Sequence, residues 1–135
     1  MRRPTVVVDA SAVVGVLQAG EPAEWLATTL HRRSLVAPRL MPFEAGNVLR
    51  RLHLSGHLDA SAATLAHDEL TNASIRLWPH RPLAARAWEL RDTLSYYDAA
   101  YIALAELLEA PLVTLDRRLA RAPGTRCTFL LPPEV

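Results

Sequence analysis

The chain has 135 residues, 50% hydrophobic and 21% charged, which suits a single globular domain spanning 1–135 and argues against disorder or two typical domains. All 15 basic residues are arginine, and 14 acids leave a formal net charge of +1, so bulk charge alone does not point to nucleic acid. No segment reaches the ~18 consecutive apolar residues of a membrane span, three valines are too few for a signal-peptide core, and a lone Cys127 has no intrachain disulfide partner. A cytoplasmic chain with no membrane partner and a buried, inert thiol is the expectation.

Thr5 to Ser11 (TVVVDAS) opens the chain with a β-branched run of buried-strand composition that ends on Asp9. In an open parallel sheet ligands collect beyond the carboxyl ends of strands, so Asp9 reads as a site residue. It reads equally as the N-cap of the next helix. That helix runs from Ser11 through Val13, Val14 and Leu17 and stops at Gly20; a second covers Glu21 to Arg33, with Glu21 and Glu24 in its first turn.

Ser34 to Pro38 is a second short strand, followed by a helix with Met41, Ala45, Val48, Leu49 and Leu52 as its apolar stripe and Gly56 as its stop. Rotation by about 100° per residue puts Glu44, Asn47 and Arg51 on an adjacent polar face. Asp59 to Asn72 reads as a helix repeating Leu65 and Leu70, Ile75 to Pro79 as a strand, and Pro82 to Leu94 as a helix. The clearest helix is Tyr97 to Ala110, with Tyr97, Tyr101, Leu104, Ala105 and Leu108 on one stripe and Asp98 in its first turn. Leu112 to Asp116 repeats the opening pattern of strand, acid and helical start, and Cys127 to Leu131 is a last short strand.

This alternation predicts an α/β domain, with a mainly parallel sheet covered on both faces and right-handed crossovers that bring Asp9 and Asp116 to one edge. Glu44 and Asp98 could face the same crevice. Two carboxylates about 5 Å apart repel by about 3 kcal/mol at an effective dielectric near 20, so four converging acids call for a cation. Mg²⁺ or Mn²⁺ takes oxygen ligands, keeps several waters and leaves room for a phosphate oxygen, which is the chemistry of metal-assisted phosphodiester hydrolysis. With the four acids set aside, the rest of the chain stands at +5 rather than +1, all of it arginine able to fork onto phosphate.

Four stretches, VVVDASAVV, APRLMPFEAGNVLRRL, LSYYDAAYIALAE and LVTLDRRLAR, resemble the PIN-domain ribonucleases in order and spacing, and most closely their VapC-type toxins. The resemblance covers nearly the whole chain. It implies a three-layer α/β/α sandwich and a Mg²⁺- or Mn²⁺-dependent endonuclease acting on RNA. Asp9, Glu44, Asp98 and Asp116 then match the acidic site, with Asp9 and Asp98 as principal metal ligands, and Ser11, Asn47 and Thr114 match its polar neighbours. Two readings stand for three of these: Ser11 caps the first helix or flanks the site, Asn47 is a polar neighbour of the site or only hydrogen-bonds Glu44, and Asp116 ligates directly or through water. The resemblance also implies a homodimer and a small VapB-type antitoxin.

Other chemistries fit less well. His53 and His57 have the i, i+4 spacing of a zinc pair but lack the glutamate of HExxH, and Gly56 falls between them, so solvated helix-end histidines are expected. Neither GxGxxG nor GxxxxGK[ST] occurs, and a phosphoaspartate site would want a lysine that this chain lacks. An RNA-processing nuclease without a toxin role, or an inactive regulatory member, are the alternatives within the same fold. The three tryptophans, Trp25, Trp78 and Trp88, are expected in the core.

Overall fold

The computed structural model describes residues 2–18 and 20–134. Five strands form one parallel sheet in the order β3-β2-β1-β4-β5: β1 is Thr5–Val8, β2 Ser34–Pro38, β3 Ile75–Trp78, β4 Leu112–Val113 and β5 Phe129–Leu130. The valines of β1 are fully buried because both faces of the central strand are covered, which is why a continuous β-branched run rather than an alternating one occurs there.

The chain leaves β1 through α1 (Ala10–Val16) and α2 (Glu21–Leu30), and leaves β2 through α3 (Met41–Leu54) and α4 (Ala60–Thr71). These four helices pack on one another along one face of the sheet. After β3 the chain reverses direction across the sheet, and α5 (Ala84–Glu89) and α6 (Tyr96–Leu108) lie together on the other face, as right-handed crossovers require. Helix α7 (Arg117–Ala120) joins β4 to β5. The result is the expected three-layer α/β/α sandwich, and its sheet is wholly parallel.

Helix α6 is the hub of the second face: Ala99 to Ala105 are all buried, the alanines letting it sit close against β1, β2 and β4. Gly15 does similar work for α1, since a Cβ there would stand 2.7 Å from Leu26 and 2.9 Å from Leu115.

Several boundaries differ from the sequence expectation. Asp9 caps α1, one of the two roles its sequence position allows, accepting from the Ala12 amide at 2.9 Å, so the helix begins at Ala10 and Ser11 lies inside it; Ala19, which the expected helix included, lies outside the described residues. Helix α2 ends at Leu30 because His31 is extended and Arg32 takes a left-handed φ of 58°, turning the chain into β2. The expected helix Pro82 to Leu94 is a 3₁₀ turn (Arg81–Leu83) plus the six residues of α5, after which Leu90 to Leu94 form turns that bury Leu90 instead of extending the helix. Ser95 caps α6 one residue earlier than expected, through the Asp98 amide.

Three apolar residues expected in the core are not there. Leu65 is 60% exposed while Ala66 and Leu70 carry the contact of α4; Tyr97 is 64% exposed; and Trp88 is 61% exposed with the Arg91 guanidinium 4.7 Å above its ring. Trp25 and Trp78 are half-buried against the core, as is Cys127, whose thiol burial pushes up to about 11.

Candidate active site

The direct pairing of β1 with β4 decides the geometry of the carboxyl edge. Val8 lies opposite Val113, and the Asp9 amide donates to the Val113 carbonyl at 3.3 Å, so Asp9 and Thr114 leave the sheet side by side. Asp9 is 7% exposed and Thr114 fully buried; they are the two buried polar residues of the domain among those described.

Both oxygens of Asp9 are held. Oδ1 accepts from Ser11 Oγ at 2.7 Å and from the Ala12 amide, and Oδ2 accepts a short hydrogen bond from Thr114 Oγ1. Thr114 Oγ1 in turn accepts the Asp116 amide at 3.0 Å, and Ser11 Oγ accepts the Leu115 amide at 3.0 Å. The two hydroxyls thus stitch the turn after β4 to the turn after β1. Burial raises the Asp9 carboxyl above its ordinary range, and the three hydrogen bonds recover only part of that.

Glu44 comes from the first turn of α3 and is half-buried. Its Oε1 accepts from the Tyr101 hydroxyl at 2.6 Å. Burial raises its pKa, the Tyr101 hydrogen bond lowers it, and the charges of Asp98 and Asp9 raise it further. Asp98, one turn before Tyr101 on α6, is likewise raised by burial and by Asp116, against the pull of Arg118. Asp116 differs: it caps α7, and the Arg118 guanidinium 2.8 Å away holds its carboxyl below the usual range.

Each of the four acids therefore senses at least one of the others, and they arrive from four separate segments at one edge of the sheet. Ser11 and Thr114 join them. Asn47 stays exposed one turn beyond Glu44, whose hydrogen-bond partner is Tyr101 and not Asn47. His53 and His57 bond to the Leu58 carbonyl and to Ser55 at the exposed end of α3, away from any acid cluster.

Two residues of this edge escaped the sequence reading. Tyr101 belongs to the apolar stripe by spacing and to the matched motif by its place one turn after Asp98, and its role as a hydrogen-bond donor to Glu44 is carried by neither. Arg118 looked like surface, yet its i+2 spacing from a capping Asp is the signal for a local ion pair.

The donor set is carboxylate and hydroxyl oxygen without histidine or cysteine, which suits a hard divalent cation. Among the described residues no group of three acids, histidines or cysteines is placed to hold a metal ion by itself, so an ion here would complete its shell with water or substrate. Beside it lies a cleft of about 280 Å³ lined by Ser95, Asp98, Arg118 and Arg121, where acid and guanidinium meet.

The parallel sheet with acids gathered at its carboxyl edge corresponds to a known class. The PIN domain matches residues 6–124, and the chain belongs to the PIN-domain family. Over 127 residues it is 42% identical to Ribonuclease VapC1 of Mycobacterium tuberculosis, an alignment covering 93% of this chain and 96% of that protein. Within the family it therefore stands with the VapC-type proteins. Among solved structures, PAE2754 from Pyrobaculum aerophilum matches with a TM-score of 0.66 at 27% identity, over 93% of this chain and 83% of that one. VapBC2 from Rickettsia felis, solved bound to a DNA fragment from its promoter, matches with a TM-score of 0.66 at 10% identity over 94% and 98%, a likeness of fold alone.

Proposed function

We propose that this chain is a Mg²⁺- or Mn²⁺-dependent endoribonuclease and the toxin of a toxin-antitoxin pair. The observation that carries this reading is the convergence of Asp9, Glu44, Asp98 and Asp116, three of them with raised pKa values, on one open edge. Kinship with Ribonuclease VapC1 supports RNA as the substrate.

Asp9 and Asp98 would hold the cation, with Glu44 and Asp116 completing the acidic wall. A bound divalent ion would supply an activated water and shield the scissile phosphate. The chain's own part is positioning. Ser11, Thr114 and the Ala12 amide hold both oxygens of the Asp9 carboxylate, Tyr101 aims Glu44, and Arg118 pairs with Asp116 until a phosphate competes for its guanidinium. A VapB-type antitoxin and a homodimer are part of the proposal, carried over from the resemblance to the VapC-type toxins. No described helix is long and apolar enough to cross a membrane.

The test is RNA cleavage by the purified protein, expected with Mg²⁺ or Mn²⁺ and absent in EDTA. Full activity in Asp9→Asn and Asp98→Asn variants that fold normally would refute the site. Growth arrest on expression, relieved by the co-expressed antitoxin, tests the toxin role; unimpaired growth with active enzyme points to a processing nuclease instead.

A further inference from the structure

A cleft of about 810 Å³ lies away from the acidic edge. It opens at the amino-terminal ends of β1 and β2 and runs along β3 as far as Trp78, on the α6 side of the sheet, and its walls include Arg2, Arg3, Arg33, Arg76 and Trp78 without a single acid. None of these four arginines takes part in an ion pair among the described residues, whereas Arg86, Arg117 and Arg118 elsewhere do. In a chain of net charge +1, four unpaired cations around one concave surface are a strong local asymmetry, which a bound polyanion relieves.

Strand register adds a second, independent feature. Thr5 lies opposite Ser34, and Ser34 and Ser74 each precede the paired residues Leu35 and Ile75, so three hydroxyl residues stand in a row across three neighbouring strands. All three line the same cleft, with Arg33 beside the row and Arg76 two residues further along β3. The Ser34 amide donates to the Pro4 carbonyl at 2.8 Å, which ties the Arg2-Arg3 segment to the Arg33 turn. The Trp78 indole N–H, buried in the cleft wall, has no acceptor among the described residues. Hydroxyls and guanidinium forks around an acid-free cleft are the chemistry of phosphate recognition.

We propose that this cleft is a second RNA-binding site, which grips the phosphodiester backbone of the substrate away from the cleavage site. The inference rests on the ribonuclease reading. A strand of four residues is about 13 Å long, so an RNA engaging both the arginines at the amino-terminal mouth of the cleft and the acidic edge must reach past the sheet. The natural substrate is then a long or folded RNA, and a small phosphodiester needs the acidic edge alone.

The experiment compares wild type with R33Q/R76Q and R33K/R76K, each checked for folding by circular dichroism. Affinity for labelled bulk tRNA is measured in EDTA against salt, and hydrolysis of bis(p-nitrophenyl) phosphate is measured with Mn²⁺. R33Q/R76Q should bind tRNA roughly tenfold more weakly, with the salt slope reduced by about 1.4 for two lost phosphate contacts, and should hydrolyse the small diester at the wild-type rate. R33K/R76K should keep the salt slope. Unchanged tRNA affinity and slope in R33Q/R76Q overturn the proposal, as does a change in oligomeric mass without a change in affinity, which would assign the cleft to a protein contact. Wild-type protein that cleaves neither RNA nor the diester refutes the ribonuclease reading, while the affinity measurement still decides the cleft.

Discussion

The Tyr101 hydroxyl donates to Glu44 at 2.6 Å, joining two residues 57 positions apart and linking the helix layers on opposite faces of the sheet. Tyr101 is 2% exposed, and burial beside the acids raises its own pKa far beyond any working pH, so it remains a donor throughout. Through this bond the most buried helix of the domain sets the direction of a carboxylate at the open edge.

Tyr101→Phe should therefore destabilise the fold by about 1 kcal/mol, the usual net value of one hydrogen bond, measured by urea titration. Without the donor Glu44 ionises less readily, so the acid limb of the pH–rate profile should move to higher pH. A profile that superimposes on wild type would show Glu44 to be aimed by something else.

Thr114→Val keeps the shape of a buried side chain and removes the hydroxyl that Asp9 and the Asp116 amide share. A cost of about 1–3 kcal/mol is expected for the unsatisfied polar groups, with Thr114→Ser close to wild type in both stability and activity. Equal stability of the Val and Ser variants would mean that the stitch contributes no stability.

The raised carboxyls make the metal-free protein sensitive to pH. Asp9, Glu44 and Asp98 bind protons more tightly folded than unfolded, so their contribution to stability is full below the unfolded range near 4 and is lost as pH rises through their elevated folded values. Asp9→Asn should then be more stable than wild type at pH 7 in EDTA and should lose that advantage near pH 4. Mn²⁺ should raise the wild-type Tm more at pH 8 than at pH 5, because bound ions need ionised ligands, and should leave Asp9→Asn almost unmoved. Equal Tm shifts at the two pH values would count against carboxylate ligation.

Glu106 behaves oppositely. Burial opposes its ionisation, but Arg86 forks onto it at 2.6 and 3.2 Å and the Arg126 amide adds a third bond, so its pKa is lowered. Arg86 also donates to the Gly124 carbonyl, fastening the segment that leads into β5. Its contribution is present above the unfolded glutamate value and is lost as pH falls through the depressed one. Arg86→Gln should cost about 1.5–3 kcal/mol at pH 7 and less at pH 3, read from thermal melts at both.

Much of this was legible from local rules. The apolar run before Asp9, the proline-terminated β2 and the Asp59 cap each depend on neighbours in sequence, and each occurs where expected. Local rules failed where a segment's partner is remote. Tyr97 and Leu65 follow the helical period yet face solvent, because no described element packs over them. Pro82 to Leu94 has helix-forming composition, but burying Leu83, Ala87 and Leu90 against α6 favours turns over a longer helix.

The order of elements along the chain already sets the class of this protein: strands that end on an acid or a turn, with helices between, bury their apolar faces as a covered parallel sheet. The sequence also marked the four acids. What tertiary structure alone decided is what those acids touch. Asp9 proved to be both helix cap and site residue, since its two oxygens serve α1 on one side and Thr114 on the other. The pairing of β1 with β4, the reach of Tyr101 across the sheet and the hydroxyl row beneath the arginine cleft all join residues distant in sequence. Such contacts come from strand order and register, which arise from the packing of the whole chain and are encoded in no single segment.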